Sequence, residues 1–301
     1  MAEALRIAVS GAFGFIGTKL VAALEHEGLE VWPLVRKQTN SKRSIFYDYQ
    51  KKIIDADKLT ECHAVIHLAG KNLMSGLWTP ACKKEIYDSR IKSTRFLAHT
   101  LAELKGGPKI LLNASAIGIY GDRADQKLDE DSLPGQGFLA DLCTDWERST
   151  LFAKKAGIRV VNMRISPVLD KDGGLLKKLL PLFSLGLGAN IGDRHNYFSH
   201  VTRDELIKQI LFLLKQPAVH GPVNMVSFTP STYGDFTHAL GLALGKPVWV
   251  RIPQFMLKLA PEQMKAACAS ARVFPKRLLD TGFPFNQADI VETVKILCAH
   301  K

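Results

Sequence analysis

The chain has 301 residues, 47% of them hydrophobic and 23% charged. These proportions lie near globular averages, which excludes a disordered, collagen-like or low-complexity chain, and the length suits two units of about 150 residues or one enlarged α/β unit with an appendage. Forty Lys and Arg against 29 Asp and Glu give a net charge of +11, a sign that favours anionic partners without choosing among phosphates, nucleic acids and acidic membranes.

The basic residues fall in scattered doublets, Lys51-Lys52, Lys83-Lys84, Lys154-Lys155 and Lys177-Lys178, with no long run or aromatic-interleaved strip. They read as solvated helix faces, and nucleic acid is not the expected partner. The cysteines at 62, 82, 143, 268 and 298 are odd in number and far apart. That fits neither a disulfide framework nor a clustered metal site, so a reducing compartment and no metal are expected. No apolar stretch approaches the ~18 residues of a membrane span, and Leu5-Arg6-Ile7-Ala8-Val9 passes directly into a glycine loop without a cleavable pattern. No membrane association and a cytoplasmic location are expected.

Leu5 to Ser10 is a short apolar run, followed by Gly11-Ala12-Phe13-Gly14-Phe15-Ile16-Gly17 and a segment whose Ile16, Leu20, Ala23 and Leu24 recur at helical spacing. Gly28 stands where a helix commonly ends in a left-handed residue, and Leu29 to Val35 is a second apolar run. Strand, tight turn, helix and strand thus close within about 30 residues, as a dinucleotide-binding half requires. Further buried strands are predicted at Ala64 to Gly70, Ile110 to Ser115 and Arg159 to Arg164, with helices around Ile86 to Leu104 and Leu142 to Ala156. The alternation predicts an α/β fold with a Rossmann-like, doubly wound, mainly parallel sheet.

After Arg164 the alternation lapses and prolines punctuate helices such as Tyr233 to Leu244 and Ile290 to Leu297. The expected division is a nucleotide-binding domain over 1–165, with parts of 190–230 returning to it, and a smaller, mostly helical C-terminal lobe over 166–301. A small-molecule substrate is expected between the two lobes.

The three glycines supply in turn a tight bend, a close backbone approach to a pyrophosphate and close helix-to-strand packing, while the helix N-terminus faces the anion. At the end of the second strand, where an NAD site places an acidic residue, the chain reads Leu34-Val35-Arg36-Lys37, and no Asp or Glu follows until Asp48. Arg36 suits the 2′-phosphate of NADP(H) better than the bare ribose of NAD(H).

The glycine loop resembles that of extended and atypical short-chain dehydrogenase/reductases. His67-Leu68-Ala69-Gly70, Trp78-Thr79, Ser89-Arg90 with Ser93-Thr94, Ser115-Ala116-Ile117-Gly118-Ile119-Tyr120-Gly121, Trp146-Glu147, and Leu185-Gly186-Leu187-Gly188 with Ile191-Gly192 narrow the likeness to epimerase-family proteins related to sugar-nucleotide epimerase/dehydratases. The end, with Val250, Pro253, Phe255, Pro275-Lys276-Arg277-Leu278 and Gly282-Phe283, is similar to that family's C-terminal domain of unknown function. The resemblance implies NADP(H) at Gly11, Phe13, Gly14, Phe15, Ile16, Gly17, Arg36 and Lys37, a coenzyme wall at Leu68, Ala69 and Gly70, and Asp57 near the adenine. Ser166 and Pro167 are implied as coenzyme neighbours, Pro167 fixing a bend and leaving a carbonyl free. The serine of the active-site region falls on Ser115 or Ala116.

Superfamily chemistry uses a Tyr for proton transfer and a Lys four residues later, which places both on one helix face. Counting back from Glu147 puts Cys143 and Leu139 at those positions, and neither can do the work. Leucine has no proton to transfer, and a thiol of pKa about 8.5 does not replace an ammonium. The candidate substitutes are Ser115, Tyr120 and His200, then Tyr197, Asp141 and Asp145. His200 draws attention because an unperturbed imidazole titrates near neutrality. Two functions follow: an NADP(H)-dependent oxidoreductase or epimerase-like enzyme of atypical mechanism, or a catalytically inactive NADP(H)-binding module that orders a surface for a protein partner.

Overall fold

The computed structural model describes residues 5–38, 41–74, 76–190, 193–248, 250–251 and 259–299; Ile191, Gly192, Pro253 and Phe255 lie outside the described residues. In chain order the elements run β1 (Arg6–Ser10), α1 (Phe15–His26), β2 (Glu30–Val35), β3 (Ile45–Asp48), β4 (Ile53–Ile54), α2 (Ala56–Thr60), β5 (Ala64–His67), α3 (Pro80–Glu103) and β6 (Ile110–Ala116). They continue with β7 (Lys127–Leu128), α4 (Phe138–Arg148), α5 (Leu151–Lys155), β8 (Arg159–Ile165), β9 (Val168–Asp170), α6 (Gly174–Ser184), β10 (Ala189–Asn190), β11 (Val201–Thr202), α7 (Arg203–Lys215), β12 (Gly221–Met225) and α8 (Tyr233–Leu244).

Eight strands form one sheet in the order β12-β8-β6-β5-β1-β2-β3-β4. β1 is parallel to β2 and β5, β2 to β3, and β5 to β6. β4 closes the edge antiparallel to β3. The fold is the Rossmann-like α/β arrangement that the alternation predicted. Strands β5, β6 and β8 are buried almost end to end, which is why they read as unbroken apolar runs and not as alternating ones.

Three differences from the sequence reading have local causes. β5 ends at His67 and not Gly70, because the N–H groups of Leu68 and Ala69 turn to the Ser10 hydroxyl. The helix expected over 142–156 is two helices. Ser149 and Thr150 hydroxyls donate to the carbonyls of Asp145 and Glu147, the kind of local bonding that competes with helix continuation. β3 and β4 were not anticipated: four and two residues long, they are too short for periodicity to register.

The chain separates into two compact units, one made of Met1–Ser115, Leu142–Met163 and Ile210–Val223, the other of Ala116–Asp141, Arg164–Gln209 and Asn224–Lys301. The first has a core of Ala8, Trp32, Leu34, Ile45, Tyr47, Leu59, Val65, Leu97 and Leu111 with Ala153 and Ile158. The second packs Leu176, Phe183, Phe198, Phe236, Leu240, Ile290 and Val294. Its helix α8 starts in a capping box between Thr232 and Asp235 and ends at Gly245 with φ of 61°, so both boundaries are set by side-chain and glycine chemistry. Among the described residues no helix is long and apolar enough to cross a membrane.

Candidate functional site

The strand order sets β1 beside β5, with β2 and β3 running outward on one side and β6 on the other. Chain direction across the sheet reverses between β1 and β5, and ligands of such sheets bind at the carboxyl edge of that switch point. The loop Gly11–Gly17 leaves β1 there, and Leu68, Ala69 and Gly70 leave β5. Gly11 has φ of +70°, and a Cβ on it would stand 3.1 Å from the Leu68 carbonyl carbon. A Cβ on Gly17 would lie 2.0 Å from Gly11 O, so the first turn of α1 closes on the loop only with glycine at this point. Gly14 is the N-cap of α1 and no side-chain cap hydrogen bond is made there. The backbone donors of a first helical turn, with the helix dipole behind them, suit a phosphate. Phe15 and Ile16 are half-buried in that turn, and Phe13 is 77% exposed at the loop's tip.

A buried chain of hydrogen bonds holds the two loops together. Ser10 Oγ accepts from Leu68 N at 3.0 Å and Ala69 N at 3.1 Å. Both lone pairs being used, its proton goes to His67 Nδ1 at 2.7 Å. His67 therefore carries its own proton on Nε2, which lies 3.3 Å from Ser93 Oγ. Tyr47 completes the chain by donating to the Ser93 carbonyl at 2.6 Å. Burial lowers the His67 pKa to about 4, so this link is neutral.

Arg36 and Lys37 follow β2 and are exposed. Because Leu34 pairs with Ser10 in the sheet register, Arg36 leaves the sheet two residues beyond that pair, beside the strand that feeds the glycine loop. Asp57 is exposed in the first turn of α2, and its carbonyl accepts from Thr60. These features fit a dinucleotide: a glycine cradle that a Cβ would fill, an uncapped helix N-terminus, and a cation at the outer rim.

Further into the same unit, Ser115 is buried and donates to Glu147 Oε1 at 2.8 Å. Ala116 is half-buried at the end of β6. Leu139 and Cys143 do occur on one helix, α4, and Cys143 is buried. Asp145 accepts from the Tyr87 hydroxyl at 3.0 Å, and Asp141 is exposed.

In the second unit the Tyr120 hydroxyl is fully enclosed. It lies 2.8 Å from Asp129 O and 2.7 Å from Asn224 Oδ1, and accepts from Arg164 Nη1 at 2.9 Å. Burial raises its pKa to about 12, against the opposing pull of Arg164. His200 is buried, stacked on Phe198, with Nδ1 3.2 Å from Ser231 Oγ, and desolvation lowers its pKa to about 4. Ser166 Oγ donates to Met225 O at 3.0 Å. Pro167 is exposed, but its carbonyl, expected to be free, accepts from Val201 N at 3.1 Å where β11 pairs with β9. Tyr197 is half-buried under the Arg272 guanidinium, 4.8 Å from the ring centroid.

Residues 7–178 match the family model described as the NAD dependent epimerase/dehydratase family. The chain belongs to this family. It is 35% identical over 299 residues to an epimerase family protein of Mycobacterium leprae, covering 98% of this chain and 97% of the relative. Among solved structures, human epimerase family protein SDR39U1 (isoform 2), crystallised with NADPH, superimposes with a TM-score of 0.86 at 27% identity, covering 99% of this chain and 100% of that one. A nucleoside-diphosphate sugar epimerase from Corynebacterium glutamicum superimposes with a TM-score of 0.81 at 32% identity, over 97% of this chain and 57% of that one.

Two features of this epimerase-family site have no role assigned to them from the sequence. Ser10 reads as the last residue of a strand, and nothing local shows that it pins a second loop 58 residues later. Arg90 did carry a signal: it falls on the buried face of α3 with Ile86, Thr94, Leu97 and Leu101, a charge within a stripe that otherwise faces the core.

Proposed function

We propose that this chain binds NADP(H) and acts as an oxidoreductase or epimerase-like protein on a small molecule, without the Tyr and Lys pair of the superfamily. The observation that carries it is the register of β1 with β2, which sets exposed Arg36 beside the strand that delivers the glycine cradle. The structural likeness to a human relative crystallised with NADPH supports the same coenzyme. Gly11, Gly14 and Gly17 would receive the pyrophosphate, Arg36 and Lys37 the 2′-phosphate, and Leu68, Ala69 and Gly70 the wall. The coenzyme supplies hydride chemistry when bound. The chain's own contribution is to hold the cradle closed through Ser10 and His67, and to keep Ser115 oriented by Glu147.

Neither Tyr120 nor His200 is set up for proton transfer. Tyr120 is saturated with partners and has a pKa near 12, and His200 is buried and neutral. These observations favour reactions in which hydride positioning carries most of the acceleration, and they also keep the second reading, a coenzyme-dependent module that docks a protein partner. Titration with NADPH and NADH tests the coenzyme assignment, with NADPH expected to bind at least tenfold more tightly; equal binding would overturn it. Consumption of NADPH at 340 nm against carbonyl, enone and nucleotide-sugar panels then separates the readings, turnover marking the enzyme and tight binding without turnover the module.

A further inference from the structure

The first unit buries a cation with no anion beside it. Arg90 is 8% exposed. Its Nη1 donates to Ile86 O at 3.3 Å, and its guanidinium carbon lies 5.1 Å from the Trp146 ring centroid. A Cβ built on Gly70 would meet its Cζ at 3.2 Å and both terminal nitrogens at 3.4 Å, so the guanidinium lies directly against Gly70. Among the described residues no carboxylate pairs with Arg90. Burial lowers its pKa to about 10, with Cys143 acting in the opposite direction, and the group remains charged at neutral pH.

Buried charges in proteins are ordinarily paired, because desolvation is costly and an opposite charge offsets it. Here only a π face and one carbonyl offset it, at the carboxyl edge of β5 and next to the third residue of the coenzyme wall. Cys143, where a lysine would bring an ammonium, is the ionisable neighbour acting on Arg90. A fixed positive charge near the nicotinamide ring would discriminate between the two forms of the coenzyme. The nicotinamide ring is neutral when reduced and cationic when oxidised, and like charges within several ångströms at an effective dielectric of about 20 repel strongly enough to shift a binding equilibrium by on the order of tenfold or more.

We propose that Arg90 is a positioning cation of the coenzyme site, whose uncompensated charge makes the site prefer NADPH over NADP+. The proposal rests on the coenzyme reading above. It gives a role to a guanidinium on the core face of α3, lying against Gly70.

The test is the ratio of NADP+ to NADPH dissociation constants, measured by calorimetry on wild type, Arg90→Met and Arg90→Lys. Wild type is expected to bind NADPH at least tenfold more tightly than NADP+, Arg90→Met to lower that ratio on the order of tenfold, and Arg90→Lys to restore most of it. Arg90→Gln, which keeps a planar group over Trp146, is read in the same way if the methionine variant does not fold. A wild type that binds both forms equally overturns the proposal. So does a neutral variant whose ratio stays within twofold of wild type, including one in which both affinities fall together, since that marks packing or a phosphate contact. A wild type that binds neither form overturns the coenzyme reading itself, and this proposal with it.

Discussion

The Ser10 hydroxyl donates to Nδ1 of His67 at 2.7 Å while accepting from the two N–H groups that follow β5. One side chain thus ties the exit of β1 to the exit of β5. Ser10→Ala takes the hydroxyl away from a buried imidazole nitrogen and from the Ala69 amide, while Leu68 N keeps the Ser10 carbonyl at 3.3 Å; each loss is of the kind that costs about 1–3 kcal/mol. The expected result is a lower urea midpoint at unchanged m-value, together with a smaller NADPH-induced rise in Tm. An unchanged midpoint would show that the seam is held by other contacts.

His67 and His200 both have folded pKa values lowered by burial to about 4, against about 6.5 when unfolded. Between these values the unfolded chain binds more protons, so stability falls as pH drops from about 6.5 towards 4, by up to about 3 kcal/mol per histidine. Above pH 6.5 the two groups contribute no slope. Glu130 and Glu205, raised by burial, act in the opposite direction, so the informative quantity is the difference between wild type and His200→Gln. Urea unfolding at pH 7.0 and 4.5 should show a shallower decline in the variant; parallel declines would remove His200 from the account.

Arg36 is exposed at the rim of the cradle, where a charge-assisted hydrogen bond to a phosphate is worth about 1.5–3 kcal/mol. Arg36→Asp should therefore weaken NADPH binding roughly 10- to 150-fold and leave NADH binding little changed or improved. Equal NADPH affinity in wild type and variant would dismiss the guanidinium as the phosphate partner.

Tyr120→Phe removes a hydroxyl that satisfies Arg164 and Asn224 in the second unit. The stability cost should be about 1–3 kcal/mol, because Arg164 Nη1 loses the shorter of its hydrogen bonds, the other being to Glu130 O at 3.5 Å, and the buried Asn224 Oδ1 loses a donor. If a reducible substrate is found, the pH profile of kcat should keep its shape in this variant. A lost limb in that profile would instead assign Tyr120 to proton transfer.

Much of the sheet was legible because its information is local. A strand, a glycine turn, a helix and a second strand close within about 30 residues, and β1, α1 and β2 form where apolar periodicity and the glycines say they should. The coenzyme cradle is a property of that one segment, which is why it can be read from a single chain. β3 and β4 escaped notice because a strand of two to four residues carries too few alternations to stand out.

The candidate catalytic residues were not legible in the same sense. Tyr120 and His200 have suitable chemistry as letters, yet one is enclosed by Asn224 from 104 residues away and the other is desolvated against Phe198. The motif Ser89-Arg90 carried a family likeness but not the fact that its guanidinium is buried against Gly70 without a carboxylate. The amino-acid sequence by itself determined the fold class, the glycine loop and the cation at the end of β2, since backbone geometry and hydrophobic period act over neighbouring residues. Only the tertiary structure decided which polar side chains are solvated, paired or left alone, because burial and dielectric are set by what the rest of the chain packs around them.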